Sequence, residues 1–184
     1  MPQPAAAEPA IGFYTVEQSE LTGWTGGLLV LNGGGRPLEF QCTLPIRPTR
    51  AHEILFGSSL RDYLIGEAVG PLLLGRCRNA PVILCCDQPE ALQLDSHGAC
   101  PLALVCEAAE GDEGPINDDT LPGFDRIQLA GATVRVAAER SDQVRRLAEQ
   151  LGHLPDLIEP FSRIREAIQE AHKQVARRSV AAAA

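Results

Sequence analysis

The residues best suited to chemistry lie in one stretch. Cys77, Cys85, Cys86, His97, Cys100 and Cys106 fall within thirty positions. Zinc takes four nitrogen or sulfur ligands in a tetrahedron, commonly from closely spaced Cys pairs on turns. The sequence holds no C-x-x-C. Cys85 and Cys86 are adjacent, so on a strand they point to opposite faces. His97-Gly-Ala-Cys100 is the one pair with ligand-like spacing. The candidate metal set is therefore Cys86, His97, Cys100 and Cys106; the competing reading is buried structural thiols with no cofactor. The same cluster allows a second chemistry, a Cys86 thiolate activated by a nearby His97 imidazole. No nucleophile-elbow motif supports it, and no catalytic residue is assigned.

A second group lies in "RPTRAHEILFGSSLRDYL". Arg47, Arg50, His52 and Arg61 can grip an anion, because guanidinium groups give forked, charge-assisted hydrogen bonds. Glu53 and Asp62 stand beside them and can instead neutralise them on the surface. The acidic stretch "EGDEGPINDD" lacks the EF-hand order of oxygen ligands and its closing Glu, so it reads as a solvated loop over residues 108–120. "LLVLNGGGRPLEF" has three glycines between apolar runs. A P-loop needs a following Lys-Ser/Thr and a helix. Here Arg36 and Pro37 lead into an alternating strand, so Asn32-Gly33 is expected to turn a hairpin.

These residues must be carried by elements with their own signatures. "GFYTVEQ" reads as a short strand and "GGLLVLN" as another. In "PLEFQCTLPI", Leu38, Phe40, Cys42 and Leu44 alternate with polar residues and are expected to face the core. A short helix over Thr49–Phe56 follows, and after Gly57 a second helical segment opens at Ser59 with Leu60, Leu64 and Ala68 in register, kinked or restarted by Pro71. "PVILCC" and "PLALVCE" read as buried strands, and "FDRIQLA-GA-TVRVAAE" as a hairpin. Ser141 N-caps a helix whose Val144, Leu147, Ala148 and Leu151 share a face. In the final helix, Phe161, Ile164, Ile168, Ala171 and Val175 form a narrow seam of coiled-coil type. That seam is the candidate partner interface.

The expected class is α+β: a mainly antiparallel sheet of about five to six strands, with helices inserted after the first hairpin and at the C-terminus. The expected organisation is a disordered tail over 1–11, a globular domain over 12–152, a C-terminal helix over 153–178 and a frayed tail over 179–184. The chain has 184 residues, 45% of them hydrophobic, enough for one core. The net charge of −8 and the 4% aromatic content argue against a nucleic-acid partner. No run is long and apolar enough to span a membrane, so a cytoplasmic location is expected. Lys173 is the only lysine among 16 basic residues, a bias that fits a GC-rich bacterial genome.

The element order, with the opening hairpin "GGLLVLNGGGRPLEF", resembles that of PAS, GAF and profilin-like sensor domains over roughly residues 26–139. The resemblance carries no binding residues over. The expected function is a non-catalytic binding or regulatory module that associates through its C-terminal helix with a protein partner or a second copy. Two alternatives stay open. One is a small thiol- or zinc-dependent enzyme using the cluster from Cys77 to Cys106. The other is a small-ligand sensor with a pocket between sheet and helices.

Overall fold

The computed structural model describes residues 9–96, 98, 100–108, 121–151, 153–154 and 156–182. Most of the tail expected over 1–11 and of the acidic stretch over 108–120 lies outside the described residues.

The first strand is longer and more central than the sequence implied. β1 (Ile11–Ser19) lies between β2 (Gly23–Leu31) and β4 (Ile83–Cys86). With β3 (Pro37–Cys42), β5 (Leu102–Val105), β6 (Phe124–Leu129) and β7 (Ala132–Ala137) it forms a seven-stranded sheet in the order β3-β2-β1-β4-β5-β7-β6. β1 pairs with β4, and β4 with β5, in parallel. The remaining pairs are antiparallel. The expectation of a mainly antiparallel sheet of five to six strands is corrected to a mixed sheet of seven. The physical sign lay in β4 and β5. Every residue of both is buried, without alternation, which is how a strand covered on both faces reads.

Helices cover both faces. On one side, α1 (Arg50–Phe56) and α2 (Leu60–Asp62) lead into a π-helical turn over Tyr63–Val69 and then α3 (Gly70–Leu74). Pro71 sits in the first turn of α3, where its missing N–H costs nothing. Leu64, Ile65, Val69 and Leu73 bury against Tyr14, Leu28 and Leu104 of the sheet. On the other side lie α4 (Ser141–Leu151) and α5 (Glu159–Ala182). Phe161, Ile164 and Ile168 of α5 are buried against Phe13, Leu29 and Cys85. The Phe161 ring meets Phe13 edge-on, with centroids 5.6 Å apart.

Two glycines set how closely the helices approach. A Cβ on Gly27 would lie 2.3 Å from Ile164 Cγ2 of α5, and one on Gly26 would lie 2.1 Å from Val69 Cγ1 on the opposite face. Gly27→Ala should therefore cost about 2 kcal/mol by overpacking. Urea unfolding checks it; an unchanged midpoint would show that α5 shifts freely.

The alternation in β3 is present, but its faces are reversed from the expectation. Leu38, Phe40 and Cys42 are exposed, as is Leu44 beyond the strand. The cause is width. A helix about 10 Å across covers two strands spaced about 4.8 Å apart, and α5 packs on β1 and β2, leaving β3 uncovered. The polar side of β3 has its own task. The Glu39 carboxylate accepts hydrogen bonds from the Arg78 and Asn79 backbone N–H groups, at 3.0 and 2.9 Å, tying down the loop after α3.

The glycine-rich turn is a hairpin turn, as expected. Asn32 Oδ1 accepts from the Gly34 and Arg36 N–H groups, and Gly35 adopts φ +79°. Gly35 needs to be glycine; nothing in the structure explains Gly33 and Gly34.

Candidate functional site

β1 connects to one side of the sheet and β4 to the other, while the two run parallel side by side. The crevice beyond their C-terminal ends is thus a point where the strand order reverses, the place where open sheets with parallel strands receive ligands. Tyr14 pairs with Cys86, so Thr15 and Glu17 extend past the end of β4 alongside Asp87. Glu17 pairs in turn with Thr25 of β2. Strand alternation puts Thr15, Glu17 and Thr25 on the face that α5 covers, together with Phe13 and Leu29.

α5 delivers the matching groups. Arg165 lies one turn beyond Phe161, and His172 two turns beyond Arg165, on the stripe that faces the sheet. Arg165 Nε forms an ion pair with Glu17 Oε1 at 3.1 Å. Its terminal nitrogen makes a close ion pair with Asp87 Oδ2. His172 Nε2 lies 3.0 Å from Thr25 Oγ1. A polar row therefore runs across four segments, the end of β4, α5, β1 and β2, from Asp87 through Arg165 and Glu17 to Thr25 and His172. Just outside β4, the Gln88 amide closes the ladder: it accepts from Val16 N–H and donates to Val16 C=O, both at 2.9 Å.

The Asp87 side chain is fully buried, whereas that of Arg165 is 38% exposed. Burial pushes the Asp87 carboxyl up to about 6, against the opposing pull of the Arg165 charge and the Thr15 hydroxyl. Asp87 Oδ1 and Thr15 Oγ1 are both buried, and neither is bonded by the Arg165 guanidinium; the Thr15 hydroxyl stands beside the Asp87 carboxyl. The site thus holds two carboxylates, one guanidinium and two buried oxygens with unused lone pairs.

The same end of the sheet carries two further arginines. Arg47 donates to the carbonyls of Leu21 and Thr22 in the β1–β2 hairpin. Arg61 sits 5.7 Å from the Trp24 ring centroid and pairs with Glu90. Of the four residues expected to bind an anion together, these two rim the crevice. The other two do not join them. Arg50 pairs with Glu53 at 3.0 Å, and His52 completes the capping box of α1 with Thr49.

The expected metal set is not assembled among its described members. No three of the described His, Cys, Asp and Glu residues converge, so Cys86, Cys100 and Cys106 do not form a ligand group; His97 lies outside the described residues. Cys86 is wholly buried, and burial together with the adjacent Asp87 pushes its thiol well above the ordinary range. A thiol held protonated in this way is a poor nucleophile. The expected partner seam divides likewise: Phe161, Ile164 and Ile168 are core, Ala171 is half-buried, and Val175 is 52% exposed.

Sequence reasoning passed over Thr15, Glu17, Asp87, Arg165 and His172. One signal was present: an acid directly after the wholly apolar run "PVILCC" marks a charge at the end of a buried strand.

Among solved structures, that of Ciona intestinalis endonuclease V in complex with a 24-mer DNA, containing an inosine followed by a ribo-adenosine, superposes with a TM-score of 0.50. It is 11% identical, and the match covers 91% of this chain and 87% of that one. The chain has an endonuclease V-like fold. A second structure of the same enzyme, a variant with a 23-mer DNA, scores 0.49 over 90% of this chain and 86% of that one, again at 11% identity. Human ENDOV scores 0.35 at 11% identity, covering 73% and 71%. No protein-family model and no curated protein sequence matches the chain.

This likeness overturns the sensor resemblance. PAS, GAF and profilin-like order was read from the succession of elements, which does not record which strands lie side by side. The regulatory-module reading is overturned as well, its α5 seam being largely core, and so are the alternatives of a thiol- or zinc-dependent enzyme, whose described thiols do not converge, and of a ligand sensor. The exclusion of nucleic acid from net charge is corrected too: a structure of this fold was solved with DNA bound. Net charge sums the whole surface, whereas a strand meets one rim of it. Among the described residues, no helix is long and apolar enough to cross a membrane.

Sites that cleave phosphodiesters commonly hold divalent ions between carboxylates. Among the described residues on the α5 face of the crevice, Glu17 and Asp87 offer carboxylates, and the Arg165 guanidinium already lies between them; Glu90, on the opposite face, is held by Arg61. The residues present do not fit a metal ion.

Proposed function

We propose that this protein binds a nucleic-acid strand across the end of the sheet where β1 and β4 stop. The observation that carries this reading is the row formed by Asp87, Arg165, Glu17, Thr25 and His172, lying at the strand-order reversal of an endonuclease V-like sheet. Arg47 at the hairpin and Arg61 on the opposite sheet face supply the positive rim that meets phosphates. Their present partners are two backbone carbonyls and one carboxylate, contacts that a phosphate can replace or share. Aromatic stacking contributes little, because Trp24 is buried. Affinity should come from charge and be strongly salt-dependent.

Fluorescence anisotropy tests this with labelled 24-mers, single- and double-stranded, DNA and RNA, with and without inosine. Binding is expected to be micromolar at about 50 mM salt and to weaken steeply by about 200 mM. Arg47→Ala/Arg61→Ala should lower the slope of log affinity against log salt by about 2 and weaken every sequence alike. The reading fails if no oligonucleotide binds at low salt, or if the double variant binds as well as the parent.

A further inference from the structure

We propose that the Arg165 guanidinium occupies a latent divalent-cation site formed by the Glu17 and Asp87 carboxylates with Thr15 Oγ1, and that this built-in cation makes the crevice a binding site rather than a metal-dependent cleaving one. The first part stands whether or not nucleic acid is the ligand.

Three observations converge. Arg165 is a single positive charge spanning two carboxylates that come from different strands, β1 and the end of β4. With the guanidinium in place, the group keeps one net negative charge; a divalent ion would bring it to neutrality. Asp87 Oδ1 and Thr15 Oγ1 add two buried oxygens that the guanidinium leaves unsatisfied. Buried polar atoms without partners are uncommon in native proteins. Hard divalent cations take oxygen ligands, and Mg²⁺ commonly uses one or two carboxylates and completes its shell with water. Two carboxylates and a hydroxyl suit such an ion once the guanidinium is gone. The 38% exposure of the Arg165 side chain supplies the opening to solvent.

The cysteines give no competing site. No described group of three His, Cys, Asp or Glu side chains converges elsewhere either. Glu17 and Asp87 are only two acids, and it is removal of Arg165 that would free them to act as ligands.

The test is Mn²⁺ binding by calorimetry and by thermal unfolding, on the full chain. Wild type should bind no Mn²⁺ that Asp87→Asn abolishes. Arg165→Ser should bind one Mn²⁺ at a site that wild type does not offer, at least about tenfold more tightly than any Asp87-independent binding to wild type, the scale set by one recovered charge at partly buried distances. Its melting temperature should rise with Mn²⁺ as mass action requires, and Asp87→Asn in the same background should remove the effect. Should Arg165→Ser lose its cooperative transition in metal-free buffer, recovery on adding Mn²⁺ supports the proposal, and failure to recover counts against it. Asp87-dependent Mn²⁺ binding by wild type would overturn it, as would a folded Arg165→Ser that binds none. Strand binding is read separately with wild type in chelator: its loss there would remove the claim that the crevice binds without metal, while absence of binding with and without metal would remove only the nucleic-acid reading.

Discussion

Arg165→Met should destabilise the protein by about 3 kcal/mol at pH 8, because removing one partner of a buried pair leaves an uncompensated charge. The expected value is at the lower end of the usual range, since Arg165 is 38% exposed and part of its charge is already screened by water. The cost must depend on pH, and its sign follows from Asp87. Burial raises that carboxyl from 3.8 to about 6 in the folded protein. The stability associated with its protonated form is therefore fully present below about pH 3.8 and lost as pH rises through about 6. In Arg165→Met the opposing pull of the guanidinium is gone, so the folded value climbs further and the loss extends to higher pH. Urea unfolding at pH 5 and pH 8 should show a small difference from wild type at the lower pH and the full difference at the higher. Asp87→Asn/Arg165→Met should restore most of the stability at pH 8. Equal costs at both pH values would show that Asp87 is not the group left stranded.

Phe161→Ala should cost about 4 kcal/mol, the scale for emptying a fully buried aromatic site. The ring fills the space between α5 and Phe13 and fixes the helix one turn before Arg165. Its removal should weaken folding and loosen the Arg165 contacts together. Val175→Ala on the same seam should change stability little, because Val175 is half-exposed. Chemical unfolding of the two variants separates the readings of this helix. A seam serving as a partner interface would give a folded monomer in both cases. A seam serving as core gives the steep difference expected here.

Those two residues also mark the limit of what the sequence could disclose. The apolar spacing at 161, 164 and 168 was legible, because helical period alone defines a stripe. What the stripe faces was not. A narrow seam fits a second helix or a two-strand patch of sheet equally well, and Gly27 decides for the sheet by letting Ile164 sit against the strand backbone. Likewise, the buried runs "PVILCC" and "PLALVCE" were legible as strands, but their parallel pairing was not. Their unbroken hydrophobicity carried that information and was outweighed by the run-then-run order of elements. In β3 the alternation was right and the inside-out sense wrong, because burial there depends on how far α5 reaches.

The site itself was nearly illegible. Asp87, Glu17 and Arg165 lie on three elements, and the closest two are 70 positions apart in sequence. Motif reading favours residues that are near in sequence, which is why the Cys/His cluster drew attention and the ion pair did not. By itself, the sequence determined the hairpin at Gly35, the amphipathic helices, most strand positions and the scale of the core, since each follows from local geometry and burial period. Only the tertiary structure decided the strand order, the crevice at the ends of β1 and β4, and the meeting of one guanidinium with two carboxylates. Those depend on contacts between distant segments, and no local propensity encodes which strand becomes the neighbour of which.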